Sequence, residues 1–75
     1  MTTIRFSPTE RPTSTHRITD GTESSYFAWP AGASWDDVLQ AYVDGYDFNG
    51  SSESFEVRCS RLDSGTAEHT GTIEA

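Results

Sequence analysis

The sequence predicts a small α+β fold, an antiparallel sheet carrying one amphipathic helix on one face, in the order β-β-β-α-β-β. Three observations predict it. A self-capped helical pattern runs from Ser34 to Asp44, strand-like alternation runs through Phe55, Val57 and Cys59, and turn chemistry separates short β-branched and aromatic stretches elsewhere. With 75 residues the chain forms one domain, 1–75, near the lower size at which a core suffices without disulfides or metal.

The chain begins with Thr2 to Phe6, where Ile4 and Phe6 share a face as in a strand. Pro8 and Pro12 interrupt it, and neither can donate to a ladder, so 7–12 reads as a loop. Thr13 to Thr19 and Ser24 to Trp29 flank Asp20-Gly21-Thr22-Glu23 and predict a hairpin. Tyr26, Phe27, Ala28 and Trp29 are consecutive, so alternation sends aromatic rings to both faces of that second arm.

In the helix, Trp35, Val38, Leu39, Tyr42 and Val43 gather into one apolar stripe, while Asp36, Asp37, Gln40 and Asp44 take the other side. Ser34 is the N-cap, Asp37 at N3 supplies the partner of a capping box, and both early aspartates suit the positive end of the helix dipole. Gly45 is placed to adopt the left-handed position that stops the helix. Trp35 and Leu39 are expected in the core.

After the helix, Asn49-Gly50 marks a turn and Phe48 is expected to tuck back against the helix end. Phe55, Val57 and Cys59 then alternate with Glu56, Arg58 and Ser60, a half-buried strand whose pattern breaks at Leu62. Asp63-Ser64-Gly65 turns the chain into a polar last strand, Thr66 to Glu74, with Ala67, His69, Gly71 and Ile73 on one face.

Charge is segregated along the chain. Arg5, Arg11 and Arg17 against Glu10 make the first 19 residues net +2, and 20–56 holds eight carboxylates with no Arg or Lys. The remainder carries Arg58 and Arg61 against Asp63, Glu68 and Glu74, giving −7 overall. Such a field repels nucleic acid and anionic membranes and attracts basic protein surfaces. Lysine is absent and Ser plus Thr number 20, a composition that coding bias or a salt-adapted host would also produce; neither explains why the positives avoid the middle of the chain. The N-terminus lacks an apolar signal-type run and the lone Cys59 requires no oxidising compartment, so a cytoplasmic protein is expected.

Catalytic and metal chemistry find little support. His16 and His69 sit in polar strand-like segments without a Gly-flanked nucleophile, and Cys59 alternates with Phe55 and Val57 as a small core residue does. His16, Cys59 and His69 are too scattered for a zinc site. Asp44 to Gly50 loosely resembles a calcium loop, but rings at Tyr46 and Phe48 fall between its oxygen ligands and Glu53 and Glu56 arrive at the wrong spacing. No enzyme, cofactor or metal is expected.

The acidic surface is the candidate site: Asp36, Asp37, Asp44, Asp47, Glu53 and Glu56, with Tyr46 or Trp29 as a ring that anchors a partner. Asp37 and Asp44, seven residues apart, project about 10 Å apart along the helix. The alternative to a function is a merely solvated face. As a site, such carboxylates imitate nucleic-acid phosphates in a Lys/Arg-lined groove. A tiny, lysine-free, acidic chain with the capped helix S-W-D-D-V-L-Q-A-Y-V-D resembles, in size, charge and pattern, the small phage and mobile-element anti-CRISPR proteins that act on type I surveillance complexes. That resemblance implies a stoichiometric inhibitor that covers the basic DNA-binding surface of a CRISPR effector; a non-catalytic monomer in the host cytosol is expected, with a charge that keeps it from binding nucleic acid or membrane itself. The competing expectation is an accessory or scaffolding module that uses the aromatic strand 24–29 as its interface.

Overall fold

The computed structural model describes residues 4–74. The elements follow as β1 His16–Thr19, β2 Ser24–Phe27, α1 Trp35–Asp44, β3 Ser54–Arg61 and β4 Ala67–Glu74. The strands form one sheet in the order β2-β1-β3-β4 with every neighbouring pair antiparallel. Both β2 and β3 flank β1, so they run parallel to each other and α1 is the crossover between them. The α+β class stands as expected, with four strands among the described residues in place of five.

The missing strand is the N-terminal one, whose first residues Thr2 and Thr3 lie outside the described residues. Of the rest, only Ser7 pairs, in a single antiparallel bridge to Tyr26 closed by Ser7 N–H on Tyr26 O at 2.9 Å and Tyr26 N–H on Ser7 O at 2.8 Å. Pro8 follows at once and has no N–H to continue the ladder. Ile4 and Phe6 still reach the core: Phe6 packs against Phe27 and Tyr42 with ring centroids 5.2 and 5.5 Å away. The second hairpin arm stops at Phe27 rather than Trp29, whose N–H is taken by the Thr15 hydroxyl at 2.9 Å, and Pro30 comes next.

Register fixes which face is covered. Ile18 lies opposite Ser25 and Cys59, Val57 opposite Gly71, and Phe55 opposite Ile73, so these residues share the helix side. Ile18, Phe27, Val57, Cys59 and Ile73 are buried there with Val38 and Tyr42 of α1. Trp35, Leu39 and Val43 are half-buried at the margin, so the deepest helix positions are Val38 and Tyr42 rather than Trp35 and Leu39. The helix sits over β4, and Gly71 sets how closely: a Cβ there would fall 2.8 Å from Leu39 Cδ2 and 3.5 Å from the Trp35 ring. A bulge between Cys59 and Ser60 shifts the register and ends the clean alternation just before Leu62.

The helix begins as its sequence dictates. The Ser34 hydroxyl accepts from Asp37 N–H at 3.1 Å and the Asp37 carboxylate accepts from Ser34 N–H at 3.0 Å, a complete capping box. Its end differs from expectation. Gly45 has φ −101°, outside the left-handed region, and Tyr46 N–H instead bonds Val43 O at 3.2 Å, tightening the last turn as the chain swings inward. The inward swing carries Tyr46 to Asp20. Phe48 follows it, half-buried against Tyr46 and Phe55, and Asn49 and Gly50 at φ 53° and 76° make a type I′ turn closed by Ser51 N–H on Phe48 O at 2.8 Å.

Candidate acidic surface and the histidine stack

The outer face of α1 carries Asp36, Asp37 and Asp44, all exposed. Asp37 is partly committed to the capping box, and Asp44 accepts a hydrogen bond from Gln40 Nε2 at 2.8 Å, one helical turn away. Beyond the helix, the exposed Asp47 accepts from Asn49 N–H at 2.9 Å and so shapes the turn as well as charging it. Glu53 is exposed just before β3. None of these five carboxylates enters an ion pair among the described residues.

Glu56 does not join them. It alternates with Phe55 and Val57, so it stands on the uncovered face of the sheet, where Arg58 Nε lies 2.9 Å from its carboxylate. Both side chains are largely exposed, so the pair adds little stability but neutralises the charge locally. Arg61 pairs with Asp63 at 2.9 Å and approaches Glu68 at 4.0 Å. Arg58 is thus spent on the uncovered face and Arg61 beside His16 at the margin of the covered one, and neither pairs with the helix carboxylates among the described residues.

Tyr46 is not a free anchor. Its hydroxyl donates to Asp20 Oδ2 at 2.5 Å, while Asp20 Oδ1 accepts from Thr22 N–H and Glu23 N–H, both at 2.8 Å. The hydrogen bond to Asp20 raises the Tyr46 pKa far above the ordinary phenol value, with burial and the Asp20 charge adding. For Asp20, burial pushes the carboxyl up, but the bonds from Tyr46, Glu23 and Thr22 outweigh it and hold the group below the usual carboxylate range. Nearby, burial and then the charges of Asp20 and Glu23 push Tyr42 up to about 12. Asp20, Glu23, Tyr42, Tyr46, Asp47 and Phe48 thus line a cleft of about 560 Å³ at the C-terminal end of the helix with no cation among the described residues of its wall. The sequence marks Asp20 as a turn residue only. Its place beside Tyr46 is a contact across 26 positions that no local pattern signals.

A second grouping joins residues that no local pattern connects, although alternation already puts His69 on the face of Ile73. His16 and His69 belong to the covered side of the sheet and enter an aromatic stack: Trp35 to His69 at 5.1 Å and 12°, His69 to Trp29 at 5.3 Å and 25°, Trp29 to His16 at 4.8 Å, and His16 to Phe27 at 5.7 Å. Hydrogen bonds lock both indoles, Trp29 Nε1 on Ala33 O at 3.0 Å and Trp35 Nε1 on Thr70 O at 3.2 Å. The Thr15 hydroxyl lies 2.7 Å from His16 Nδ1 while it accepts from Trp29 N–H. Burial lowers the His16 pKa; Arg61 and His69 add to this, against the opposing charges of Glu68 and Asp63. Thr15, His16, Trp29, Arg61, Glu68 and His69 line a cleft of about 670 Å³.

Chemically, the Thr15–His16 contact has the distance of a hydroxyl–base pair. Yet among the described residues no carboxylate hydrogen-bonds the imidazole, and the Thr15 oxygen is engaged by Trp29. Cys59 is fully buried, and burial raises its thiol to about 12, which suppresses the nucleophilic thiolate. Among the described residues no group of three or more His, Cys, Asp or Glu converges to hold a metal ion, and no helix is long and apolar enough to cross a membrane.

The aromatic arm 24–29 divides its rings as alternation requires. Phe27 is buried in the core, Trp29 is held in the stack, and Tyr26 alone lies on the uncovered side, half-buried. Comparison with protein-family models, with curated proteins and with solved structures finds no match to this chain.

Proposed function

We propose that the protein is a non-catalytic inhibitor whose acidic helix side occupies a basic, nucleic-acid-binding groove on a bacterial defence complex. The resemblance in size, charge and pattern nominates type I CRISPR surveillance complexes, in the host cytosol, as the target. The observation that carries this reading is that Asp36, Asp37, Asp44, Asp47 and Glu53 are exposed and outside every described ion pair, whereas Arg58 and Arg61 are spent elsewhere. A surface shaped only for solubility gains nothing from that arrangement, because interspersed signs serve solubility with less self-repulsion. The rigid, double-capped start of α1 supports the same reading, since a preorganised row of charges loses little entropy on docking. Glu56 is left out of the contact surface, and Tyr46 acts by holding the acidic end together rather than as a partner anchor. The aromatic arm 24–29 has less to offer a partner, with Phe27 and Trp29 already engaged.

The test is capture of a purified type I surveillance complex, with target duplex as competitor and with rising salt. The variant Asp36→Lys/Asp44→Lys, which spares the capping aspartate Asp37, is expected to lose binding at least about tenfold, the equivalent of about 1.4 kcal/mol, without a change in melting temperature beyond a few degrees. Retained affinity in the folded variant, or capture indifferent to duplex DNA, overturns the proposal.

A further inference from the structure

The outer edge of β2, where the N-terminal segment lies, carries the opposite charge to the helix. A groove of about 500 Å³ there is lined by Arg5, Ser7, Arg11, Thr13, Ser14 and Tyr26 among others, with no carboxylate among the described residues of its wall. Arg5, Arg11 and Arg17 enter no ion pair among the described residues, although the chain holds twelve carboxylates. Arg11 is held in place: Ser14 N–H bonds Arg11 O at 2.9 Å across Pro12 and Thr13, and Arg11 Nε donates to Ser7 Oγ at 3.1 Å. Ser7 is itself buried. The anchoring bond uses Nε and leaves the two terminal nitrogens of Arg11 for a ligand. Arg5 makes no described side-chain bond, and the Tyr26 hydroxyl, on the same wall, likewise enters none among the described residues.

We propose that this groove is an anion site for a phosphate monoester, gripped by the Arg5 and Arg11 guanidinium groups. Charge selects the ligand. Two guanidinium groups match a phosphomonoester, which carries about −1.5 to −2 near neutral pH, and are only half matched by a carboxylate or a phosphodiester. The overall −7 does not forbid it. The antiparallel Ser7–Tyr26 bridge directs Arg5 toward Ala28, away from the Asp20–Glu23 turn at the other end of the hairpin. A four-residue strand separates the two ends by about 13 Å at 3.3 Å per residue, beyond the screening length of about 8 Å at physiological salt. Glu10 belongs to the same loop but does not line the groove, and Asp63, on the neighbouring cleft, is tied to Arg61. The monoester can belong to a free phosphorylated small molecule or to the 5′ end of a nucleic-acid strand; the chemistry at the groove is the same.

The experiment is a titration of the isotope-labelled protein, read by amide and arginine Nε resonances, with inorganic phosphate, AMP, and a short oligothymidylate with or without a 5′-phosphate; sodium acetate is the control. Saturable shifts confined to the groove are expected with the monoesters, far weaker with acetate or the unphosphorylated strand. Arg5→Gln, which removes no internal bond, is expected to weaken binding about tenfold with an unchanged melting temperature, and Arg5→Gln/Arg11→Gln to abolish it. AMP binding tighter than the phosphorylated strand assigns a small-molecule source, and the reverse order assigns a strand end. No saturable shift at millimolar monoester, equal response to acetate, or undiminished binding in Arg5→Gln overturns the proposal.

Discussion

Tyr46 and Asp20 join two parts of the chain through one short, charge-assisted hydrogen bond, and their perturbed ionisation makes the bond measurable. Because the folded Asp20 carboxyl is held below its ordinary value of 3.8, the unfolded carboxyl protonates first as pH falls, and the stabilisation is lost below about pH 4. Because the folded Tyr46 phenol is held above its ordinary value of 10.0, the unfolded phenol ionises first as pH rises, and stability is also lost above about pH 10. Tyr46→Phe removes the donor and is expected to cost about 1 kcal/mol, below the roughly 1.5 to 3 kcal/mol of a hydrogen bond to a charged group because the pair is partly solvated. Melting curves across pH check both statements: the gap between wild type and variant should be level between those limits and close outside them. A gap that persists unchanged at pH 2 would mean that the ring packing, and not the bond to Asp20, accounts for it.

At the scale of elements, what the sequence discloses depends on how far apart the determinants lie. The helix is legible because its signals are local: Ser34 and Asp37 are three residues apart, and the stripe of Val38 and Tyr42 repeats at one turn. The Phe55–Cys59 alternation and the Asn49-Gly50 turn are legible for the same reason. The N-terminal strand misleads, since Ile4 and Phe6 do face the core but Pro8 denies the ladder its next bond. The end of the helix misleads because Tyr46 is drawn inward by Asp20, which overrides the left-handed preference of Gly45. Ser34→Ala leaves the Asp37 N–H without its acceptor and is expected to cost about 1 kcal/mol by denaturant melt. Gly71 shows the opposite case, a strand glycine whose reason is the helix above it. Gly71→Val drives its side chain against Leu39 Cδ2 and the Trp35 ring and is expected to cost about 1 to 3 kcal/mol despite the better strand propensity of valine. Neutral or improved stability would show that α1 can lift off β4 without penalty.

Taken whole, the molecule is electrically sided: among the described residues, carboxylates outside any ion pair lie on the helix and its C-terminal end, and arginines outside any ion pair lie along the β2 edge. The sequence announces the segregation along the chain, but only the register tells which charges share a face, which is why Glu56 separates from the acidic group and Asp20 and Glu23 enter it. This sidedness sets how salt acts on folding. The molecule measures 33 × 28 × 20 Å. At 0.01 M ionic strength the screening length of about 30 Å lets carboxylates repel across most of that span, and at 0.15 M, about 8 Å, they feel only near neighbours. The melting temperature is therefore expected to rise between those two concentrations and then level, because the remaining repulsion is local and already solvated. A salt-adapted protein, whose acidic surface is tolerable only in concentrated brine, would instead keep gaining stability into the molar range. Calorimetric melts over that series separate the two. A plateau by about 0.15 M leaves the unpaired carboxylates in need of a partner rather than of salt, whereas a continuing climb would assign the acidity to the host's milieu and remove the charge argument for an inhibitor.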